Sequence, residues 1–317
     1  MVLNTYCPYC PPLILLAYRG CFSFYHPESV GVGFDIENMV VKNEATALDS
    51  LLEKVYRDTG YDFREYKRGT VTRRLERRLH ATGAKTYLEY MEFLDAHPEE
   101  YQRLADDLTI KVSEFFRSPY AFRQVDSLML PELALFKRDR GERSLRFWST
   151  SCARGEEPYS MAILLAEFLG NRRQDFDISI YATDVSRQAL REARAGVYSP
   201  KGVKGLTPTL LEKYFTRYDK GYVAKTDIRQ MVSFSYFDLT STIRQPFMNL
   251  DCIFCCNVLI YLQSQLQKRV LSMLYDSLTA PGYLVLGEAE TPTNSLNEKL
   301  ACLDSKAKIY KKNRRRR

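Results

Sequence analysis

From residue 45 onward, apolar positions fall at helical spacing. Leu48, Leu51, Leu52 and Val55 share one face, and similar periods recur over residues 70–82, 87–96, 99–111 and 119–128. This predicts a small all-helical domain over residues 41–136. Residues 137–143 (K-R-D-R-G-E-R) are almost wholly charged and predict a linker. The pattern then changes to short continuous apolar runs. One ends at Phe147-Trp148 and enters a turn of small residues closed by Gly155, Glu156 and Glu157. A second, residues 178–184, ends in Asp184. A third begins at Leu250 and is followed by a helical stripe of Leu266, Val270, Leu271 and Leu274. Such alternation predicts an α/β domain over residues 137–317, with polar groups at the carboxyl edge of a parallel sheet, where ligands bind.

The segment around residues 200–234 breaks the alternation. Residues 207–214 read as a short helix, and residues 221–224 and 231–234 as antiparallel strands around a polar turn, which predicts a small inserted β-subdomain. The first 40 residues carry Pro11, Pro12, Gly20, Pro27, Gly31 and Gly33 without stable periodicity and predict an irregular extension. Residues 311–317 predict a disordered basic tail.

The strand-to-helix turn at residues 148–160 suits a nucleotide-like cofactor, because small residues let backbone N–H groups approach a ligand closely. It has one glycine and so fails the G-x-G-x-x-G fingerprint. Asp184, one βα unit on, stands where such folds keep a ribose-binding carboxylate.

The 317 residues are 45% hydrophobic and 27% charged, ordinary for a globular protein. No run of 18 apolar residues predicts a membrane span, and the apolar stretch at residues 11–18 is short, with no basic residue before it. Of the eight cysteines, Cys7-x-x-Cys10 and Cys252-x-x-Cys255 have zinc-ligand spacing, but the second pair lies on an expected buried strand rather than a knuckle turn. Cysteine in cores acts as a small hydrophobe, so the expectation is a metal-free protein of a reducing cytoplasm. The net charge of +7 concentrates in Arg64, Lys67, Arg68, Arg73, Arg74, Arg77 and Arg78, beside the buried stripe Val71, Leu75 and Leu79. The cluster reads as a solvated helix face, or as a footprint for an acidic partner, either nucleic-acid phosphate or a glutamate-rich helix.

Four segments together carry a family resemblance. They are W-S-T-S-C-A-R-G-E-E-P-Y-S at 148–160, A-T-D-V-S at 182–186, F-C-C-N-V-L-I-Y-L at 254–262 and G-Y-L-V-L-G-E-A-E at 282–290. In order and spacing they resemble the CheR-type protein-glutamate O-methyltransferases of bacterial chemotaxis, and the likeness runs over residues 51–311. It implies a Rossmann-like S-adenosylmethionine-dependent methyltransferase domain with a small N-terminal all-helical domain and an inserted antiparallel β-subdomain. It further implies methyl transfer to glutamates on the cytoplasmic helices of chemoreceptors, leaving S-adenosylhomocysteine. Such a carboxylate is already ionised at neutral pH, so no general base is required, and none of His26, His80 and His97 is an expected catalyst.

The resemblance also implies site residues. Residues 111–117, K-V-S-E-F-F-R, resemble N-x-T-x-F-F-R, which makes Lys111, Ser113 and Arg117 candidates near the cofactor, Arg117 also for the transfer site; a surface ion pair is the plainer reading of Arg117. Glu157 is expected near the methionine amino group, or as a helix first-turn acid. Asp184 is the ribose acid, Asp238 and Leu239 match an Asn-Leu pair beside the adenine, and Cys255, Cys256 and Asn257 follow at the third strand's exit. Tyr261 matches a tyrosine near the transferring methyl, against a buried structural role. The domain's arginines, with Arg73, Arg74, Arg77 and Arg78 foremost, are expected to dock the receptor. Ser151 replaces a family glycine, where a Cβ crowds the cofactor if the backbone needs positive φ. Cys256 replaces an arginine, Lys111 an asparagine and Asp238 an asparagine. The loop at residues 217–221 lacks the glycine-rich insertion of members that need a receptor tether peptide, so tether independence is expected, as is a monomer. A noncatalytic adaptor and, more remotely, a nucleic-acid methyltransferase remain as alternatives; for the latter the chain lacks a D/N-P-P-Y motif at Asn257, and no nucleic-acid partner is expected.

Overall fold

A computed structural model describes residues 36–109, 112–241 and 245–313. The chain divides into two compact units, Met1–Asn43 and Glu44–Arg317. Residues 1–35 of the expected extension and the candidate Lys111 lie outside the described residues; residues 36–40, expected to be irregular, are helical, and apart from residues 36–43 the second unit holds everything that follows.

Its first part is helical: α1 (Ile36–Thr59), α2 (Arg68–Thr82), α3 (Tyr87–Ala96) and α4 (Glu99–Leu108). Leu48, Leu51, Leu52 and Val55 meet Val71, Leu75, Tyr90, Leu94, Leu104 and Leu108 in one core. α2 stops at Gly83, whose φ of +79° suits glycine, and Thr86 caps α3 by accepting the Glu89 N–H. α4 ends earlier than its periodicity predicts, at Leu108, because Thr109 turns to extended backbone.

α5 (Pro119–Gln124) continues through a π-helical turn, Val125–Met129, into α6 (Leu130–Asp139). This corrects the expected linker at residues 137–143. Lys137 belongs to the last turn of α6 and is buried, its ammonium 2.8 Å from Asp251 and 3.1 Å from Glu142. A charged segment thus reads as linker until its buried partner is known.

The remaining strands form a seven-stranded sheet. In chain order these are β1 (Ser144–Ser149), β2 (Asp177–Asp184), β6 (Val232–Tyr236), β7 (Leu250–Cys255), β8 (Leu278–Leu286), β9 (Leu300–Asp304) and β10 (Ile309–Lys312). Across the sheet they run β6-β2-β1-β7-β8-β10-β9, parallel through β8, with β10 antiparallel between β8 and β9. Helices α7 (Glu156–Leu169) and α8 (Arg187–Ala195) pack on one face, and α11 (Ser264–Ser277) on the other. Residues on β7 alternate between these cores, Cys252 and Phe254 in the one that holds α7, against Met129 and Phe122, and Ile253 and Cys255 in the one that holds α11. Burial on both faces explains the unbroken apolar run. It also puts Cys252 and Cys255 on opposite sides of the sheet, so they cannot converge on one ion.

Between α8 and β6 lies a three-stranded antiparallel sheet, β3 (Val197–Tyr198), β5 (Gly221–Ala224) and β4 (Phe215–Tyr218), with α9 (Pro208–Tyr214) before β4 and α10 (Thr226–Arg229) after β5. One pairing expectation is corrected here. Residues 231–234 do not pair with residues 221–224; β6 joins the large sheet parallel to β2, with Ala182 opposite Phe234. Four alternating residues look alike in a hairpin and at a parallel edge. Two residues of the expected tail belong to β10 instead: Lys311 pairs with Tyr283 on β8 and ion-pairs with Glu132, while Lys312 donates to the carbonyls of Tyr275 and Leu278; residues 314–317 lie outside the described residues. The short helix α12 (Asn294–Asn297) precedes β9.

Candidate active site

Strand order reverses between β1 and β7, leaving a crevice at their carboxyl ends. A cleft of about 420 Å³ occupies it. The segments that leave β1 (Thr150, Ser151), β2 (Asp184), β6 (Asp238, Leu239), β7 (Cys256, Asn257) and β8 (Gly287) all line it. Ser113 and Arg117 face it from the α4–α5 connection, Tyr261 from the 3-10 turn Leu259–Tyr261, and Arg73 and Arg74 from α2.

Two phenylalanines explain how Arg117 reaches the cleft. Phe115 is buried edge-on against Tyr198 and Phe215 of the small sheet, and its carbonyl lies where a Cβ on Gly205 would stand. Phe116 packs on Phe122 and donates its N–H to Ser160 Oγ at 2.9 Å, with φ of +51°. With both rings anchored, Arg117 is turned to the exposed rim, its guanidinium donating to the Val112 carbonyl at 3.0 Å.

The turn after β1 is built around Asp184. Its carboxylate accepts the N–H of Ala153 at 2.9 Å and of Ser186 at 2.8 Å, tying the β1 and β2 exits together. The positive φ values fall at Ala153 (+47°) and Gly155 (+93°), not at Ser151. The steric conflict expected if Ser151 needed a glycine backbone therefore does not arise. At Gly155 a Cβ would sit 3.1 Å from Ala193 Cβ and from the Tyr198 hydroxyl, so both the space and the angle require glycine.

Glu157, in the first turn of α7, accepts from Ser149 Oγ at 2.6 Å. Burial pushes its carboxyl up to about 7, against the hydrogen bonds from Ser149 and Cys256, and the neighbouring Glu290 charge adds to the rise. The Cys256 thiol is itself pushed up by burial and then by the Glu157 charge, so it stays protonated. Burial is thus the main cause of the elevation, and the Arg117 charge only partly opposes it. Asp238 is held up by burial and partly restored by Thr240, whose N–H and hydroxyl donate to Oδ1 at 2.8 and 2.6 Å.

Some candidates fall elsewhere. Cys255 does not line the cleft; strand alternation turns its side chain into the α11 core. Arg78 is corrected from docking to structure: its guanidinium lies 2.6 Å from the fully buried Glu100, which also accepts from the Tyr90 hydroxyl at 2.9 Å. Arg77 is exposed beside Arg73, Glu76 and His80, and Arg74 donates to the Asp107 carbonyl. Several cleft residues were not among the candidates, Tyr66, Thr150 and Gly287 among them. Tyr66, from the α1–α2 connection, packs against both the helical core and the α11 core, and nothing local in the sequence marks it. Thr150 and Gly287 did lie inside the motif segments and were legible there.

Sheet, switch-point cleft and acidic turn have the architecture of a Rossmann-like cofactor-binding domain, and the family match makes it that of an S-adenosylmethionine-dependent methyltransferase. Residues 111–309 match the family model described as CheR methyltransferase, SAM binding domain, and residues 46–109 match CheR methyltransferase, all-alpha domain. The chain belongs to the CheR methyltransferase family. It is 30% identical over 268 residues to the chemotaxis protein methyltransferase of Borreliella burgdorferi (83% of this chain, 93% of the relative). It is 35% identical to chemotaxis protein methyltransferase 2 of Vibrio cholerae (74% and 82%) and 32% identical to the Escherichia coli chemotaxis protein methyltransferase (74% and 81%). Among solved structures, an S-adenosylmethionine-dependent methyltransferase from Mesorhizobium loti overlaps 52% of each chain at 17% identity, with a TM-score of 0.28.

The cleft suits that cofactor. Its volume lies in the range of small-molecule sites. The Thr150 hydroxyl is buried at its wall with only the weak Cys255 thiol beside it. Glu157, its carboxyl raised by burial at the cleft wall, suits a cationic group such as the cofactor's methionine end. Among the described residues no helix is long and apolar enough to cross a membrane, and no group of three or more His, Cys, Asp or Glu side chains is placed to hold a metal ion.

Proposed function

We propose that this protein methylates glutamate side chains on the cytoplasmic helices of chemoreceptors, forming glutamate methyl esters. The observation that carries this reading is the convergence of Arg117 and Tyr261 on one cleft with Glu157, Asp184 and Asn257. S-adenosylmethionine supplies a methyl group made electrophilic by its sulfonium. Asp184 accepts the ribose hydroxyls, Asp238 and Leu239 border the adenine, and Glu157 and Asn257 hold the methionine end. Arg117 draws the substrate carboxylate in, and the Tyr261 hydroxyl orients it for in-line attack. The carboxylate attacks as the anion, which is why the cleft needs no base.

In this reading α2 docks the acidic receptor helix through Arg73 and Arg77, the protein works as a monomer in the cytoplasm, and it needs no tether peptide. The turn joining β4 to β5 has only Asp219 and Lys220 between the strands, which supports the last point. The test is transfer of tritiated methyl to a receptor cytoplasmic domain, to the same domain with its methylation-site glutamates replaced by alanine, and to tRNA. Base-labile label on the intact domain alone is expected. Cofactor binding without transfer makes the protein an adaptor, and labelled tRNA overturns the proposal. Removing the receptor's C-terminal tail is expected to leave binding intact.

A further inference from the structure

Behind the cleft wall lies a buried carboxylate, Glu290, which is 3% exposed and does not line the cleft. Its Oε2 accepts the main-chain N–H of Asn257 at 3.0 Å and of Gly287 at 2.8 Å, and its Oε1 accepts that of Ile260 at 3.3 Å. One side chain on the β8 exit thus gathers three backbone donors, two of them from the loop that leaves β7. That loop presents Asn257 and Tyr261 to the cleft. Asn257 holds φ of +60°, a region that costs a non-glycine residue free energy and persists only where its surroundings enforce it. Gly287 provides an independent sign of the same construction. A Cβ there would stand 2.7 Å from Glu290 Oε2 and 2.8 Å from the Asn257 nitrogen. The carboxylate, the glycine and the strained asparagine form one knot, closed only while residue 287 has no side chain.

We propose that Glu290 is a positioning residue for methyl transfer, fixing Asn257 and the turn that carries Tyr261 through their backbone N–H groups. The proposal rests on the reading that Tyr261 orients the substrate carboxylate. Two carboxyl oxygens are needed because a glutamine would present one oxygen and an amide donor to a pocket lined by three N–H donors.

The experiment uses the full-length protein with Glu290→Gln, Gly287→Ala, Tyr261→Phe and the Glu290→Gln/Tyr261→Phe double variant. It reads S-adenosylhomocysteine affinity, kcat on a receptor cytoplasmic domain, and hydrogen exchange at the Asn257 and Ile260 amides. Glu290→Gln is expected to lower kcat about tenfold or more, as small misplacements of reacting groups do, and to weaken S-adenosylhomocysteine binding by a smaller factor, because Asn257 shares the cofactor with Glu157 and Asp184. In the Tyr261→Phe background the same change should cost less than about threefold, because residues acting as a unit are not additive. Gly287→Ala should give the same split, and it carries the test if Glu290→Gln does not fold. A kcat within about twofold of wild type, or fully additive losses, overturns the proposal. If the wild type methylates no receptor, the reading of Tyr261 fails separately. Amide exchange then decides: loss of protection in Glu290→Gln supports the clamp, and unchanged protection removes it.

Discussion

The main-chain N–H of Lys67 donates to the carbonyl of Tyr261 at 2.8 Å, one residue before α2 begins. The helix that carries the basic face is thereby joined, through its first turn, to the residue read as orienting the substrate. Gln263 reinforces the joint: its N–H donates to the Glu65 carbonyl at 2.9 Å and its side chain to the Tyr66 carbonyl at 3.1 Å. Arg269 and Glu65 add an ion pair of 2.6 Å, but both side chains are nearly half exposed.

These two contacts should differ in value. Gln263→Leu is expected to cost about 1 kcal/mol and to slow methyl transfer, because it leaves part-buried carbonyls unpaired and loosens Tyr261 against α2. Arg269→Ala should change stability by less than about 0.5 kcal/mol, as exposed pairs usually do. Calorimetric unfolding and receptor methylation on both variants check this. A larger effect from Arg269→Ala would show that the surface pair, not the backbone joint, holds the junction.

Glu157 sets a pH dependence of known sign. Its folded carboxyl lies near 7, above the ordinary 4.5. The folded state therefore prefers the protonated acid, and this stabilisation is full below 4.5 and lost as pH rises through 7. Glu157→Gln should raise stability at pH 8 by about 1–2 kcal/mol, allowing for screening by water in the cleft, and change little at pH 4. Cofactor binding demands the opposite form, since a cationic amino group favours the carboxylate. Affinity for S-adenosylmethionine should rise as pH climbs from 6 to 8, with proton release near pH 7, and the variant should lose both the affinity and its pH dependence. Calorimetry in buffers of different ionisation enthalpy measures the protons.

The α2 arginines separate by partner. Arg77→Glu is expected to raise the KM for a receptor domain about tenfold and to weaken its salt dependence, with cofactor affinity unchanged. Arg78→Ala should instead destabilise the fold by about 3 kcal/mol, because the buried Glu100 loses its guanidinium. Steady-state kinetics at two ionic strengths and thermal unfolding distinguish the two, and equal effects on KM would contradict the assignment.

What was legible in the sequence depended on how local its cause is. The runs ending at Trp148, Asp184 and Cys255 are rich in apolar residues on both strand faces because both sheet faces are covered, and Leu48, Leu51, Leu52 and Val55 repeat because one helix face is. Arg117, Glu157, Asp184 and Tyr261, singled out by motif matches before α5 and after the strands, all line one cleft. Pairings across the fold left no such trace. Lys137 looks like linker without Asp251, Arg78 like surface without Glu100, and β6 like a hairpin arm without β2. Glu290 stood at the end of a matched segment, yet its use is set by backbone donors more than 25 residues away, which no side-chain pattern reports.

Asp238 offers a test of the adenine-side reading of the cleft. Where the resemblance places an asparagine beside the adenine, this carboxylate accepts both the N–H and the hydroxyl of Thr240, and burial still raises its pKa. Asp238→Asn keeps an oxygen for Thr240, removes a partly buried charge and gives the cleft an N–H donor for an adenine ring nitrogen. One added hydrogen bond is worth about 1 kcal/mol, so affinity for S-adenosylhomocysteine should improve about fivefold. Stability should rise at pH 7, where the wild-type carboxylate is charged, and not at pH 3, where both side chains are neutral. Calorimetric titration and unfolding at the two pH values read both effects. Weaker binding by the variant would mean that the carboxylate itself contacts the ligand, placing Asp238 at the ribose rather than the adenine.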